Sequence, residues 1–369
     1  MTEELKPIRL GFIGCGQVTA HGHLPALEFL PSVQVVAISD IDKDRLHQVA
    51  NRFRIGRRYP DFHALLDDPV VDVVAICVPA QLHAEAALAA LESGKHLFIE
   101  KPLALNMDDS DRLIKRASQS HSKVMVGFNL RRHRLTRKTL AVIEKGTLGS
   151  IEAVRSVLTT DNRFHRDSPE WRKRRERGGG EFFETAVHHI DLWRFLLKTE
   201  IEEVFATSRS GEWDDETVTI TARLSNGSLA SGLFSIGTGA SNELEIFGQS
   251  GQLSLSFLRF DGLELLPRSR FSGDLQSRLT GMSSVLTNLP QALLGARKGG
   301  DFLGSYREEW RHFVDCIRRR VPVESTLEDG RRALQAILAA TESASTGRPV
   351  NVADARRSLT EVAPLRRDL

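Results

Sequence analysis

Three short stretches of the chain hold residue types able to do chemistry. The first, Gly14-Cys15-Gly16-Gln17-Val18-Thr19-Ala20, directly follows the apolar run Ile8–Ile13. A pyrophosphate needs a tight turn, a backbone with no side chain in its way and a helix N-terminus pointing at it. Gly14 and Gly16 meet the first two needs and Gln17 and Val18 open the helix, while Thr19 stands where a GxGxxG pattern has its third glycine. Asp40 ends the next apolar run, 24 residues beyond Gly16. A carboxylate there accepts hydrogen bonds from both hydroxyls of an adenosine ribose and repels a 2′-phosphate. No arginine directly follows Asp40, so NAD is favoured over NADP, and Asp42 takes the role of helix cap.

The second stretch is split in sequence: Cys77-Val78-Pro79 with His83, and Glu100-Lys101-Pro102. Each half ends an apolar run, at the edge where open α/β sheets bind ligands. A lysine at a strand end is commonly a solvated charge, but one pinned by a following proline is poorly placed for packing. The third stretch runs from Gly178-Gly179-Gly180 through Glu184 and Thr185 to His188-His189-Ile190-Asp191. Glu184, His188 and Asp191 recur at four and three residues, so on a regular helix they share one face. Carboxylate and imidazole together suit acid–base chemistry near neutral pH. A metal site fits less well, because only one of the adjacent histidines can point with Glu184 and no third ligand is evident. The plainer alternative is a helix histidine satisfied inside the core. The basic stretch Arg163–Arg177 before the glycines reads either as a solvated loop or as a clamp for an anionic part of a substrate.

These stretches need elements to position them, and the pattern of the chain supplies two kinds. Apolar runs at Ile8–Ile13, Val33–Ser39, Asp72–Val78, His96–Ile99 and Val124–Phe128 alternate with helical segments. That order predicts a doubly wound parallel sheet, a Rossmann domain over residues 1–128. From residue 129 to 369 we expect a second, α+β domain. It has a helix over Glu181–Leu197 and alternating strands at 151–160, 201–210, 216–224, 228–236, 243–247 and 252–258. Asn226-Gly227 is a two-residue hairpin signal. Two helices, Tyr306–Arg319 and Leu327–Ser345, close the chain and are free to pack back on the first domain. A helix near Leu275–Leu293, with an apolar Leu279, Met282, Val285, Leu286 and Leu289, has no evident role beyond core packing or an oligomer contact.

Composition narrows the class. The 369 residues carry 50 basic and 48 acidic side chains, a net charge of +2. Such balance gives no drive toward nucleic acid or a membrane surface. Three widely spaced cysteines, Cys15, Cys77 and Cys316, read as reduced thiols. With no apolar leader and no long apolar run, the reading is a cytoplasmic protein.

Taken in order, these motifs are specific as a series: the Gly-x-Gly turn, Asp40, Ile76-Cys77-Val78-Pro79 with His83, Glu100-Lys101-Pro102, Val126–Arg131, Trp171-Arg172, the glycine triplet with its His188-x-x-Asp191 helix, and Glu324–Gly330. The series resembles the Gfo/Idh/MocA oxidoreductases, the glucose–fructose oxidoreductase and inositol dehydrogenase type. The resemblance implies a Rossmann domain followed by a large open antiparallel sheet whose far face makes homodimers or homotetramers. It implies an NAD-dependent dehydrogenase acting on a CH–OH of a sugar, cyclitol or nucleotide sugar. It assigns Lys101 to the substrate hydroxyl and nicotinamide region and His188 to the general base. Glu184 stands where relatives have Asp, as the partner of the base. Gly14, Gly16, Gln17, Val18, Asp40, Pro79, His83, Glu100 and Lys101 fall at the cofactor, and Arg131, Trp171, Arg172 and His189 at the substrate; no metal is implied. Two other outcomes stay compatible with the motifs: a glycosidase that oxidises its substrate transiently, and a non-catalytic relative that senses NAD.

Overall fold

The computed structural model describes residues 6–161, 168–271 and 273–359. The chain divides into two compact units. The first joins residues 1–132 to 298–332, and the second joins 133–297 to 333–369.

The first unit is built on six parallel strands: β1 (Ile8–Ile13), β2 (Val33–Ser39), β3 (Arg57–Tyr59), β4 (Val73–Ile76), β5 (His96–Glu100) and β6 (Val124–Gly127). They lie in the order β3-β2-β1-β4-β5-β6, so the reversal of strand order falls beside β1 and β4. Strand β4 is buried at every position, as a sheet covered on both faces requires. Strand β3 escapes the sequence pattern because Arg-Arg-Tyr has no apolar run; it pairs at the sheet edge with Ala37–Ser39 of β2. Asp42 caps helix Lys43–Arg52, accepting the Arg45 N–H as anticipated.

Residues 298–332 were expected in the second domain, with its closing helices packing back. They belong to the first unit, and the boundary falls after Arg132 rather than Phe128. The physical reason is aromatic. Trp310 and Phe313 of helix Gly300–Arg319 are buried in one core with Phe12 of β1 and Phe98 of β5. Trp310 stacks on Phe98 with centroids 4.6 Å apart.

The second unit holds an eight-stranded sheet: β7 (Ile151–Thr159), β8 (Ile201–Arg209), β9 (Thr217–Leu224), β10 (Leu229–Ser235), β11 (Ser241–Gly248), β12 (Gly251–Ser256), β13 (Leu263–Pro267) and β14 (Val350–Asn351). The order is β13-β12-β11-β7-β10-β9-β8-β14. It is mostly antiparallel, but β7 and β10 run parallel, which alternation along single strands does not reveal. In β9 every second residue is buried. Helix Val187–Leu197 covers that face, with Trp193 Nε1 donating to Ser156 Oγ of β7 at 2.8 Å. The Asn226-Gly227 turn is longer than anticipated: Leu224 N–H donates to Ser228 C=O across three loop residues. Among the described residues no helix is long and apolar enough to cross a membrane.

Trp310 is 1 % exposed. Replacing it with alanine leaves a large void, and we expect a loss of about 3–5 kcal/mol, measured as a fall in the urea midpoint of the first unit. An unchanged midpoint would show that helix Gly300–Arg319 is only appended to the Rossmann sheet.

Candidate active site

In the first unit the glycine turn, the strand-two carboxylate and the Glu100-Lys101-Pro102 stretch all leave the carboxyl ends of β1, β2 and β5. Gly14 has φ +99°, and a Cβ there would lie 2.4 Å from the Cys77 carbonyl oxygen, so the turn after β1 sits directly against the end of β4. A Cβ at Gly16, by contrast, would meet nothing within 4 Å. That open backbone, where the Ala20 N–H already bonds the Gly16 C=O, is the form a pyrophosphate requires. Gln17 is exposed, and Gly16, Val18, Pro79 and Lys101 are half-buried around it. Thr19 fills the missing glycine position by turning inward and donating to the Gly14 C=O at 2.8 Å. The turn's own thiol is no nucleophile, because burial pushes Cys15 up to about 12.

Asp40 holds the turn in place, with Oδ2 accepting the Cys15 N–H at 2.8 Å. Its remaining lone pairs are taken by the Asp42 N–H and by Arg45, whose Nε and Nη2 reach the two oxygens at 3.0 and 2.7 Å. Burial alone would raise the Asp40 carboxyl, but these bonds hold it below the usual carboxylate range. Arg45 is absent from the sequence reading because it lies five residues past Asp40. Capping by Asp42 places Arg45 in the first turn of the helix, from where its side chain reaches back to the carboxylate ahead of the cap.

Two cofactor candidates turn out to be internal supports. His83 is buried, and its two ring nitrogens face the carbonyls of Pro102 and Val78 at 2.7 and 2.9 Å. It straps the end of β4 to the loop after β5 and is not available to a ligand. Glu100 is also buried: Oε2 accepts the Lys101 N–H, and Oε1 lies 2.9 Å from His23 Nε2. His23 and Trp310 are the residues that sequence reasoning misses. Trp310 Nε1 donates to His23 Nδ1 at 3.0 Å, so the imidazole proton sits on Nε2 and is donated to Glu100. His23 closes a π turn, Thr19–His23, just before Pro25. A proline has no N–H for the preceding turn, and the wider turn accommodates it. The signal was present as a histidine ahead of a helix proline, but its partner lies 287 residues away.

Arg131, expected at the substrate, is likewise structural. It is 3 % exposed, donates to the Glu324 C=O at 2.7 Å and pairs with Asp329. Burial would raise Asp329, but Arg131 and Thr326 hold its carboxyl low. The Glu324–Gly330 stretch is thereby tied to the end of β6.

In the second unit the chain enters helix Val187–Leu197 through another π turn, Phe182–Ala186. The four-residue spacing of Glu184 and His188 therefore spans a change of helix type, and the single-face argument for a regular helix does not apply to it. Both residues are half-buried. Glu184 is gripped by Arg172, with Nε to Oε1 at 3.1 Å and Nη2 to Oε2 at 2.7 Å. Glu184 in turn raises the Arg172 guanidinium above its ordinary value. Gly179 permits this approach, since a Cβ there would lie 1.9 Å from the Arg172 carbonyl oxygen. Trp171 is half-buried beside it. Lys173, Arg174 and Arg175 pair with Glu212, Asp214 and Asp215. Residues 172–175 are thus neither a solvated loop nor an open clamp for an anion; residues 163–167 of the same stretch lie outside the described residues. Asp191 is buried, 3.8 Å from Arg194. His189, expected at the substrate, is fully buried with Nε2 3.1 Å from Asn242 Oδ1 of β11. An adjacent residue on a helix points about 100° away from its neighbour, so His189 faces the sheet.

Two predictions follow from this burial. His23→Phe keeps the ring volume but leaves the Trp310 indole and Glu100 without their partner, and we expect a loss of about 3 kcal/mol; a midpoint equal to that of the wild type would refute the relay. Burial holds His189 down to about 4, against an ordinary 6.5. The unfolded chain then takes up a proton below pH 6.5 that the folded one refuses. Stability from this group is complete above pH 6.5 and is lost as pH falls toward 4, by about 3 kcal/mol in all. His189→Gln should flatten the fall in urea midpoint over that window, and parallel curves would contradict the assignment.

Comparison with known proteins agrees with both units. Residues 8–128 match the family described as "Oxidoreductase family, NAD-binding Rossmann fold", and residues 136–254 match the GFO/IDH/MocA C-terminal domain. The chain is 28 % identical to myo-inositol 2-dehydrogenase of Thermotoga maritima over 94 % of its own length and 98 % of that protein. It is 30 % identical to levoglucosan dehydrogenase of Pseudarthrobacter phenanthrenivorans, over 75 % of this chain and 78 % of that one. A crystal structure of a probable dehydrogenase from Thermotoga maritima superposes with TM-score 0.76 at 25 % identity, covering 95 % of this chain and all of that one. The glycine turn against β4, the carboxylate beside it and the two matched domains place this chain in the Gfo/Idh/MocA family of NAD-binding oxidoreductases.

Proposed function

We propose that the chain oxidises a ring or chain CH–OH of a neutral cyclitol or sugar. The observation that carries the choice of a neutral substrate is the internal pairing of Arg172, Lys173, Arg174 and Arg175 with Glu184, Glu212, Asp214 and Asp215. A nucleotide-sugar diphosphate would have to break such pairs to gain contacts with these cations, whereas a polyol leaves them intact. The relatives named for myo-inositol and levoglucosan fit the same class.

The open backbone at Gly16 and the exposed turn from Gly16 to Val18 suit a dinucleotide, whose adenosine ribose hydroxyls take over the Asp40 oxygens that the Arg45 fork occupies in the free chain. When bound, its nicotinamide supplies the hydride acceptor. Lys101 donates a hydrogen bond to the substrate oxygen as negative charge develops there. His188 takes the hydroxyl proton. Glu184, steadied by the Arg172 fork, orients His188, and Trp171 offers an apolar surface to the sugar ring. The outer face of the second sheet, with Phe205, Leu229 and Leu233 exposed, is the surface for a homo-oligomer contact.

The test is a steady-state screen that follows reduced-cofactor absorbance with myo-inositol, levoglucosan and UDP- or dTDP-sugars. We expect turnover with neutral polyols, and losses of ~10²-fold or more in kcat for His188→Ala and for Lys101→Ala, the usual scale of acid–base and oxyanion terms. Turnover confined to nucleotide sugars, or wild-type kcat in either variant, would overturn the reading. Release of a leaving group with no accumulation of reduced cofactor would identify a transiently oxidising glycosidase instead.

A further inference from the structure

Helix Leu275–Ala296 is the one long helix that neither the core nor the proposed chemistry accounts for. Leu275, Leu279, Met282, Leu286, Leu289 and Leu293 follow each other at intervals of four, three, four, three and four residues. This is an unbroken 3.5-residue repeat, the pattern of an a/d seam. All six are between 39 and 75 % exposed. The helix is held to its own unit from another side: Lys138 Nζ donates to Asn288 Oδ1, off the seam, at 3.2 Å. A row of leucines turned outward across five intervals is far larger than the scattered apolar residues of a monomer surface.

We propose that this seam pairs with the same helix of a second copy of the chain, antiparallel, about a two-fold axis near Met282 and Leu286. Val285 and Leu294, also exposed, flank the row, and the area of the seam selects that occupant. The exposed seam amounts to roughly 600 Å² per chain, or about 1,200 Å² across a pair, which clears the ~1,000 Å² of a stable interface. An antiparallel pair opposes the two helix dipoles, whereas a parallel pair sets like ends together.

The proposal does not depend on the substrate or on the catalytic residues. Its test is the solution mass of the full chain by light scattering and sedimentation, for the wild type and for the double variant Leu279→Glu/Leu286→Glu. We expect the variant to have half the wild-type mass with unchanged far-ultraviolet circular dichroism and unchanged NAD binding. Orientation is read from cysteine variants. Leu275→Cys with Leu293→Cys in one chain should cross-link under mild oxidation, and Leu275→Cys alone should not. Equal masses for wild type and variant overturn the proposal. So does co-sedimentation of wild type, but not variant, with phosphatidylcholine vesicles at an unchanged protein mass, which would make the seam a lipid-binding face.

Discussion

A buried carboxylate dictates the architecture of the first unit. Glu100 ends β5 almost out of contact with water, and an ionised group there is tolerated only if its oxygens are bonded. One oxygen takes the Lys101 N–H and the other takes His23, whose second nitrogen is taken by the Trp310 indole. The chain of bonds has a direction, indole to imidazole to carboxylate, and this settles both the tautomer of His23 and the path of the backbone at Lys101. It explains why helix Gly300–Arg319, remote in sequence, belongs to the Rossmann unit. Without it His23 has no donor and the carboxylate no full complement.

The same economy governs the second unit. Arg172 and Glu184 satisfy each other across a close approach that only Gly179 permits, and the three basic residues that follow are each met by an acidic one. Residues 172–175, part of what reads in the sequence as a strongly basic stretch, are paired with Glu184, Glu212, Asp214 and Asp215. Both units also use a π turn where a functional helix begins, at Thr19–His23 and at Phe182–Ala186. An extra residue in a turn re-aims the side chains around it. In the first unit it turns His23 inward to Glu100; in the second it separates Glu184 from the regular helix that carries His188.

Residue type does not separate a side chain that meets a ligand from one that holds the fold. The resemblance places His83, Arg131 and His189 at ligands. Each is buried, bonded to carbonyls, to Asp329 or to Asn242, and holds a loop or a helix in place. Their partners are set by register between distant segments, which local spacing does not encode. Arg45 escapes for a related reason: the rule looks at the residue after Asp40, while the first turn of the helix capped by Asp42 points a side chain back to it five positions on.

The sequence alone determined the alternation of buried strands and helices, the glycine turn with its carboxylate, the Asp42 cap, and through the ordered motifs the family. These are local properties: backbone freedom at a glycine, capping by a neighbouring side chain, apolar period along a strand. Tertiary structure alone decided the rest. It assigned residues 298–332 to the Rossmann unit, set β7 parallel to β10, paired residues 172–175 internally, and left the leucine row of Leu275–Ala296 facing outward. Each of those outcomes depends on which surfaces meet across long stretches of chain, where burial and charge pairing are properties of the assembled fold rather than of any one segment.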